Sequence, residues 1–149
     1  MTKGTVKGVI ANMVTVAVDG PVSQGEICYI ETGGDRLMSE VIKVVGSNAF
    51  VQVFESTRGL KVGSPVEFTG HMLEVQLAPG MLSKNYDGLQ NDLDKMEGVF
   101  LKRGQYTDPL DADRIWDFEP IAKVGDEVQS SDWLGSVEEN HQPLKIMAP

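Results

Sequence analysis

The sequence of 149 residues predicts a mainly β fold, with short strands in the first seventy residues, then a linker and a second β-rich unit. Several short runs alternate apolar and polar residues, which is the pattern of strands with one buried face. Residues that favour turns separate these runs, and the whole chain contains 16 glycines and 7 prolines, as expected for a β-rich protein with many turns. A hydrophobic content of 41% supports a packed core and is too high for a disordered chain.

The predicted strands of the first unit are each bounded by turn residues, and they cover residues 5–10, 13–18, 26–31, 37–45, 49–54 and 65–69. A tight turn at residues 11–12 joins the first two strands, and residues 33–35, Gly-Gly-Asp, form the clearest hairpin turn. Unbroken alternation along the fourth strand predicts that Leu37, Val41 and Val45 share one face.

The fifth and sixth strands flank a strong turn signal. Ala49, Val51 and Val53 share one face of the fifth strand, and the alternation then stops at residues 55–59. Gly59 favours a turn there, because glycine adopts positive φ without steric cost. Six short strands at close, even spacing fit either a small closed barrel or a sandwich, since both arrangements protect strand edges.

Residues 55–70 read ESTRGLKVGSPVEFTG and fit the pattern E-x-T-x-G-L-x-V-G-x-P-V-x-x-T-G at Glu55, Thr57, Gly59, Leu60, Val62, Gly63, Pro65, Val66, Thr69 and Gly70. This run resembles the N-terminal barrel of the catalytic A subunit of the V-type and archaeal-type rotary ATPases. The resemblance implies that the first 70 residues form a six-stranded barrel.

The resemblance extends over nearly the whole chain. Residues 77–93 are similar to the family run L-G-P-G-L-L…D-G-I-Q-R-P-L, although Ala78 replaces a glycine and Asn91-Asp92 replaces Arg-Pro. Further matches fall in an insertion that the F-type catalytic subunit lacks, called the bulge: Trp116, Phe118, Pro120, Lys123, Val124, Gly125, Asp126, Val128, Asp132, Gly135, Val137, His141, Lys145, Ile146, Met147 and Pro149.

The predicted domain boundaries follow from these segments: a barrel over residues 1–70, a linker over 71–109 and a bulge unit over 110–149. Within the linker, Asp87 is predicted to cap a short helix that carries Leu89, Leu93 and Met96 on one face. The bulge run Lys123-Val124-Gly125, followed by Val128, repeats the spacing of Lys61-Val62-Gly63 followed by Val66. This similarity predicts strands and turns of similar shape.

Charge and composition restrict the location and the partners of the chain. A net charge of -9 argues against binding to nucleic acid or to an anionic membrane, because both require a cationic surface. No apolar run approaches the roughly 20 residues of a membrane span, and no leader opens the sequence. We therefore expect a soluble, cytoplasmic protein, and the family resemblance implies that it is peripheral to the membrane as part of the soluble sector of the ATPase. The single cysteine, Cys28, lies in an apolar run and is predicted to be buried and inert.

No residue of the chain is predicted to be catalytic, to bind a cofactor or to bind a metal. ATP hydrolysis in this family needs a loop of the form G-x-x-x-x-G-K-[ST], and the sequence contains no Gly-Lys pair. His71 and His141 lack further ligands at metal spacing. The aspartates at residues 108, 111 and 113 lack the glycine and glutamate of a Ca²⁺ loop and predict a solvated turn. The chain resembles the N-terminal part of a longer subunit, for which ATP and Mg²⁺ are expected.

One alternative comes from the biotinyl and lipoyl carrier domains. Residues 123–137 are similar to a run in those domains, and Lys145, between Leu144 and Ile146, could correspond to their modified lysine at a hairpin tip. Mass spectrometry of Lys145 separates the two hypotheses. We expect Trp116 to pack inside the protein, whereas Trp133 is equally consistent with packing and with a partner surface.

The family resemblance implies a structural role for this part of the subunit. Barrels of A and B subunits would join into a crown that holds an alternating hexamer, and the bulge would approach the peripheral stalk. The intact subunit would also engage a central stalk and couple ATP hydrolysis or synthesis to H⁺ or Na⁺ transport. Charged replacements of Phe54, Leu60 or Val62 are expected to unfold the barrel or to prevent ring assembly.

Overall fold

The computed structural model describes residues 1–98 and 102–149. Its first unit is a closed barrel of six antiparallel strands. Their order around the barrel is β1-β2-β5-β4-β3-β6. The strands are β1 (Lys3–Ile10), β2 (Met13–Val18), β3 (Glu26–Thr32), β4 (Asp35–Val45), β5 (Asn48–Val53) and β6 (Pro65–Met72). The structure thus confirms the mainly β class and the six-stranded barrel.

The barrel interior is packed with aliphatic side chains from all six strands. Ala49, Val51 and Val53 of β5 all point inward and are fully buried, as their alternation predicted. The rest of the core consists of Val6, Val14, Val16, Cys28, Ile30, Leu37, Val41, Val66 and Phe68. The core is therefore formed by the inward half of each alternating strand.

A β-bulge in β4 corrects one sequence-based expectation. The pairing of β4 with β5 shifts register between Val41 and Lys43, so the side chains beyond this point change face. Val44 packs against the core, whereas Val45 is 50% exposed. The prediction that Val45 shares a face with Leu37 and Val41 was wrong, because the bulge adds one residue to the strand.

A separate three-stranded antiparallel sheet lies near the end of the chain. Its strands are β7 (Phe118–Pro120), β8 (Trp133–Glu139) and β9 (Gln142–Met147), in the order β7-β8-β9. Asn140 and His141, both with positive φ, form the turn between β8 and β9.

The chain divides into two compact units, and each unit contains two segments. The first unit comprises Met1–Glu74 and Gly98–Gln105, and the second comprises Val75–Glu97 and Tyr106–Pro149. Residues 71–109, which the sequence analysis treats as a linker, therefore contribute to both units. No helix among the described residues is long and apolar enough to cross a membrane.

The helix predicted after Asp87 does not form. Between Asp87 and Gly98, the structure contains a single three-residue 3-10 helix, Leu93–Lys95, and its N-cap is Asp92. Gln90 has a φ of +62°, which a right-handed helix cannot contain, and Asp87 binds backbone N–H groups of an irregular loop instead. The helical spacing of Leu89, Leu93 and Met96 was therefore misleading.

Candidate partner interface

Lys145 lies in the middle of β9, where it pairs with Ser136, and not at a hairpin tip. Its Nζ atom is 3.2 Å from the centroid of the Trp133 ring, in a cation–π contact. The tip of this hairpin is instead formed by Asn140 and His141. The position of Lys145 therefore does not fit the modified lysine of a carrier domain.

The two tryptophans have different surroundings, although both lie in the second unit. Trp116 is partly buried, with the Arg114 guanidinium 3.9 Å from its ring centroid. A Cβ atom placed on Gly80 would lie 3.6 Å from the Trp116 ring, so the indole packs against this backbone. Trp133, by contrast, is 51% exposed. Trp116 has the packing role expected of it, and Trp133 lies on the surface.

Among the described residues, the single cysteine and the potential metal ligands are the remaining chemically distinctive groups. Cys28 is fully buried in the barrel, and burial, with a smaller effect of Glu26, raises its pKa to about 12, so the thiol stays protonated. Within residues 1–98 and 102–149, no three His, Cys, Asp or Glu side chains are grouped so that they could hold a metal ion.

A polar network that the sequence analysis did not predict organises the segment around residue 90. Oδ1 of Asp87 accepts hydrogen bonds from the N–H groups of Leu89 and Asn91, at 2.9 and 2.8 Å, and its Oδ2 accepts one from Nδ2 of Asn91. Partial burial tends to raise the pKa of Asp87, but these hydrogen bonds outweigh it and lower that pKa. Oδ1 of Asn91 accepts a further hydrogen bond from the N–H group of Thr107, at 3.0 Å.

Asp92 forms the second half of this network. Its side chain is fully buried, and its Oδ2 accepts a hydrogen bond of 2.9 Å from Nζ of Lys84. Its Oδ1 accepts a hydrogen bond from the N–H group of Asp94 and thereby caps the 3-10 helix. The hydrogen bond from Lys84 lowers the pKa of Asp92 despite burial, and the same bond raises the pKa of Lys84. Asn91 and Asp92, the two residues that depart from the run to which the sequence was compared, are thus both buried and hydrogen-bonded.

Glu139, the last residue of β8, joins the sheet to the segment around Pro79. The residue is 3% exposed, and its Oε1 accepts hydrogen bonds from the N–H groups of Gly80 and Leu82, at 2.9 and 3.0 Å. Its buried Oε2 has no partner within the described residues. Nothing in the local sequence pattern indicated this role, because the contact spans 57 residues or more.

In the first unit, Arg103 and Gly104 are fastened to the loops of the barrel. Nε and Nη2 of Arg103 donate to Oδ2 of Asp35, at 2.9 and 2.6 Å, and its Nη1 donates to the carbonyl oxygen of Arg58. The N–H group of Gly104 donates to Oε2 of Glu55, at 2.6 Å. Glu55, which opens the family-like run, therefore anchors a later segment of the same unit.

The surface of the second unit is both acidic and apolar. Residues 110–149 include nine Asp or Glu residues and three Lys or Arg residues, which accounts for six of the nine net negative charges. Many large apolar side chains in the same range are exposed: Ile115, Phe118, Ile121, Val124, Val128, Trp133 and Met147. Exposed apolar groups at this density, among predominantly negative charges, are typical of an interaction surface.

Comparisons with known proteins agree with the architecture. The β-barrel domain of the ATP synthase alpha/beta family matches residues 6–70, and the barrel-sandwich domain of ATP synthase alpha/beta subunits matches residues 107–149. The V-type ATP synthase alpha chains of Borreliella afzelii, Borrelia duttonii and Treponema denticola are 48%, 49% and 46% identical to the chain. Each alignment covers 99% of this chain but 26% of the relative. The chain belongs to the ATP synthase alpha/beta family, in which it corresponds to the N-terminal region of the V-type alpha chains.

Proposed function

We propose that this chain is the structural N-terminal part of the catalytic subunit of a V-type or archaeal-type rotary ATPase. The observation that carries the proposal is the sequence identity of 46–49% to V-type ATP synthase alpha chains over 99% of the chain, together with the closed barrel. The chain spans 26% of the length of the curated relatives that it matches. In this proposal, the whole subunit couples ATP hydrolysis or synthesis to H⁺ or Na⁺ transport.

The barrel serves ring assembly. A closed barrel has no free strand edge, so neighbouring subunits contact it through side chains and loops without extending its sheet. Its loops are rigidified by the bonds from Arg103 to Asp35 and from Gly104 to Glu55. In this account the barrels of alternating A and B subunits form a crown on the cytoplasmic side of the membrane.

The bulge unit, residues 110–149, provides contact with the peripheral stalk. Its negative charge and its exposed apolar side chains support this role. ATP, Mg²⁺ and the contacts with the central stalk belong to the parts of the subunit outside this chain. The alternative of a carrier domain is not favoured by the position of Lys145 in the middle of β9.

A chimaeric subunit tests this function. The chain would replace the matching region of the Treponema denticola alpha chain, to which it is 46% identical, and the chimaera would be assembled with the other subunits of that complex. We expect ATP hydrolysis coupled to ion uptake into membrane vesicles. A complex that contains the folded chimaera but shows no coupled uptake, while the unaltered complex does, would contradict the proposal. The 149-residue chain itself should show no saturable heat of ATP binding in calorimetry.

A further inference from the structure

An open pocket in the second unit combines apolar walls with a carboxylate rim. Ile121, Ala122, Val128 and Trp133 line it, and the rim is formed by Asp126, Glu127 and Asp132. We call this feature the acid-rimmed pocket. Its volume of about 500 Å³ lies within the range of roughly 300–1,000 Å³ that is usual for binding pockets. Ile121, Val128 and Trp133 are 62%, 47% and 51% exposed, so water covers apolar surface that a partner could bury.

Two reverse turns hold the rim in place. Oδ2 of Asp126 accepts a hydrogen bond of 2.8 Å from the N–H group of Lys123, whose carbonyl accepts the Asp126 N–H group. In the second turn, Oδ2 of Asp132 accepts a hydrogen bond of 2.8 Å from the N–H group of Gln129, and the Asp132 N–H group donates to the Gln129 carbonyl. Two of the three rim carboxylates are therefore fixed before any partner arrives, which reduces the entropy lost on binding.

The aromatic wall is also held in position. The Lys145 ammonium lies 3.2 Å from the centroid of the Trp133 ring, and the second turn is tied to the segment after β9 by two hydrogen bonds between Ala148 and residues 131–132. Trp133 is half-exposed, and tryptophan is among the side chains that are enriched at the energetic centres of protein interfaces.

We infer that the acid-rimmed pocket is the docking site for a cationic segment of a partner protein. A large apolar side chain of that segment enters the pocket against Trp133, and flanking Lys or Arg residues meet Asp126, Glu127 and Asp132. Charge selects this occupant, because a second copy of the chain carries the same net charge of -9 and would be repelled. The inference rests on the proposed function, in which the partner is the peripheral stalk.

The test measures binding of purified peripheral-stalk subunits of the Treponema denticola complex to the chain by calorimetry. The triple variant Asp126→Asn, Glu127→Gln and Asp132→Asn removes the rim charge but keeps an oxygen that can close each turn. We expect it to weaken binding at least tenfold and to flatten the salt dependence. The variant Asp108→Asn, Asp111→Asn and Asp113→Asn removes the same charge from exposed positions of the same unit, and it should change the affinity less than threefold.

The apolar contact is tested by Trp133→Ser, with Ile115→Ser as the control, because Ile115 is 93% exposed and does not line the pocket. We expect Trp133→Ser to weaken the affinity for the stalk subunits at least tenfold and Ile115→Ser to change it little. Val128→Arg places a positive charge in the pocket at an exposed position and should also weaken binding. Circular dichroism melting of each variant verifies that it is folded.

The outcomes distinguish the pocket from the wider function. Stalk binding that survives the rim and Trp133 changes would overturn the acid-rimmed pocket and leave the stalk contact standing. If neither the chain nor the chimaeric subunit binds the stalk subunits, both the docking role of the acid-rimmed pocket and the proposed stalk contact are wrong. If Trp133 is shielded from an aqueous quencher in the chimaera before any stalk is added, the rest of the subunit occupies the pocket and the inference is wrong.

Discussion

Nζ of Lys84 lies 2.9 Å from Oδ2 of Asp92, and the two side chains differ sharply in exposure, at 34% and 0%. The carboxylate is the buried member of the pair, whereas the ammonium reaches water. Removal of the partner of a buried charge is costly, because the remaining charge stays dehydrated and unpaired. The two members of this pair should therefore not be equivalent in mutagenesis.

The first prediction follows from this asymmetry. Lys84→Met leaves the Asp92 carboxylate buried, with the N–H group of Asp94 and the more distant ammonium of Lys95, whose Nζ is 3.9 Å away, as its neighbours. This variant should destabilise the second unit more than Asp92→Asn. Asp92→Asn should cost about 1–3 kcal/mol, since Lys84 can turn towards solvent. Both tryptophans lie in this unit, so their fluorescence during urea unfolding reports on it. Equal losses for the two variants would contradict the assignment.

The second prediction concerns pH. The pKa of Asp92 is lowered by folding, so its contribution to stability is present above its unfolded pKa of about 3.9 and is lost as the pH falls through the lower folded value. The pKa of Lys84 is raised, so its contribution is present below about pH 10.4 and is lost as the pH rises through the higher folded value. The stability difference between the wild type and the double variant Lys84→Met, Asp92→Asn should be constant from about pH 5 to 9. It should decrease at both extremes, as urea unfolding at several pH values can show.

The third prediction concerns the two turns beside the acid-rimmed pocket. Gly125 and Ser131 occupy equivalent third positions, with φ of +101° and +76°, and a side chain is strained there. Ser131→Gly should stabilise the second unit by about 1 kcal/mol, and Gly125→Ala should destabilise it by a similar amount. Ser130→Gly, at a position where φ is not positive, serves as the control and should be slightly destabilising. Stabilisation by Ser130→Gly and not by Ser131→Gly would show that the turns are assigned incorrectly.

The fourth prediction concerns the barrel core and replaces an expectation from the sequence. Phe54 and Val62 are 36% and 66% exposed, so charged residues at these positions should not unfold the barrel, whereas Leu60 packs against the core. Phe68 is fully buried, and Phe68→Ala should cost about 3–5 kcal/mol. Thermal unfolding followed by far-ultraviolet circular dichroism compares Phe68→Ala with Val62→Lys. A larger loss for Val62→Lys would contradict the placement of the core.

Much of the barrel could be predicted because its strands carry local signals. Alternation and turn residues located all six strands to within three residues at either end. The similarity between residues 61–66 and 123–128 correctly predicted equivalent turns, with positive φ at Gly63 and Gly125. It failed beyond the turn, since Val66 lies in β6 and Val128 lies in no strand.

The second unit was less predictable because its order depends on contacts between distant residues. The bonds of Asn91 with Thr107, and of Glu139 with Gly80, join segments 16 and 59 residues apart. The local pattern of apolar residues does not reveal such contacts. The loop that contains Asp87, Asn91 and Asp92 was therefore predicted to be a helix. Trp133 also lies beside a register shift, between Trp133 and Gly135, in the pairing of β8 with β9, and simple alternation does not predict such a shift.

The most direct test of the central claim is native mass spectrometry of the chimaeric subunit co-expressed with the B subunit of the Treponema denticola complex. A barrel that serves ring assembly predicts a species with three copies of each subunit, as with the unaltered alpha chain. A folded chimaera that stays separate from the B subunit, under conditions in which the unaltered chain forms the hexamer, would contradict the account.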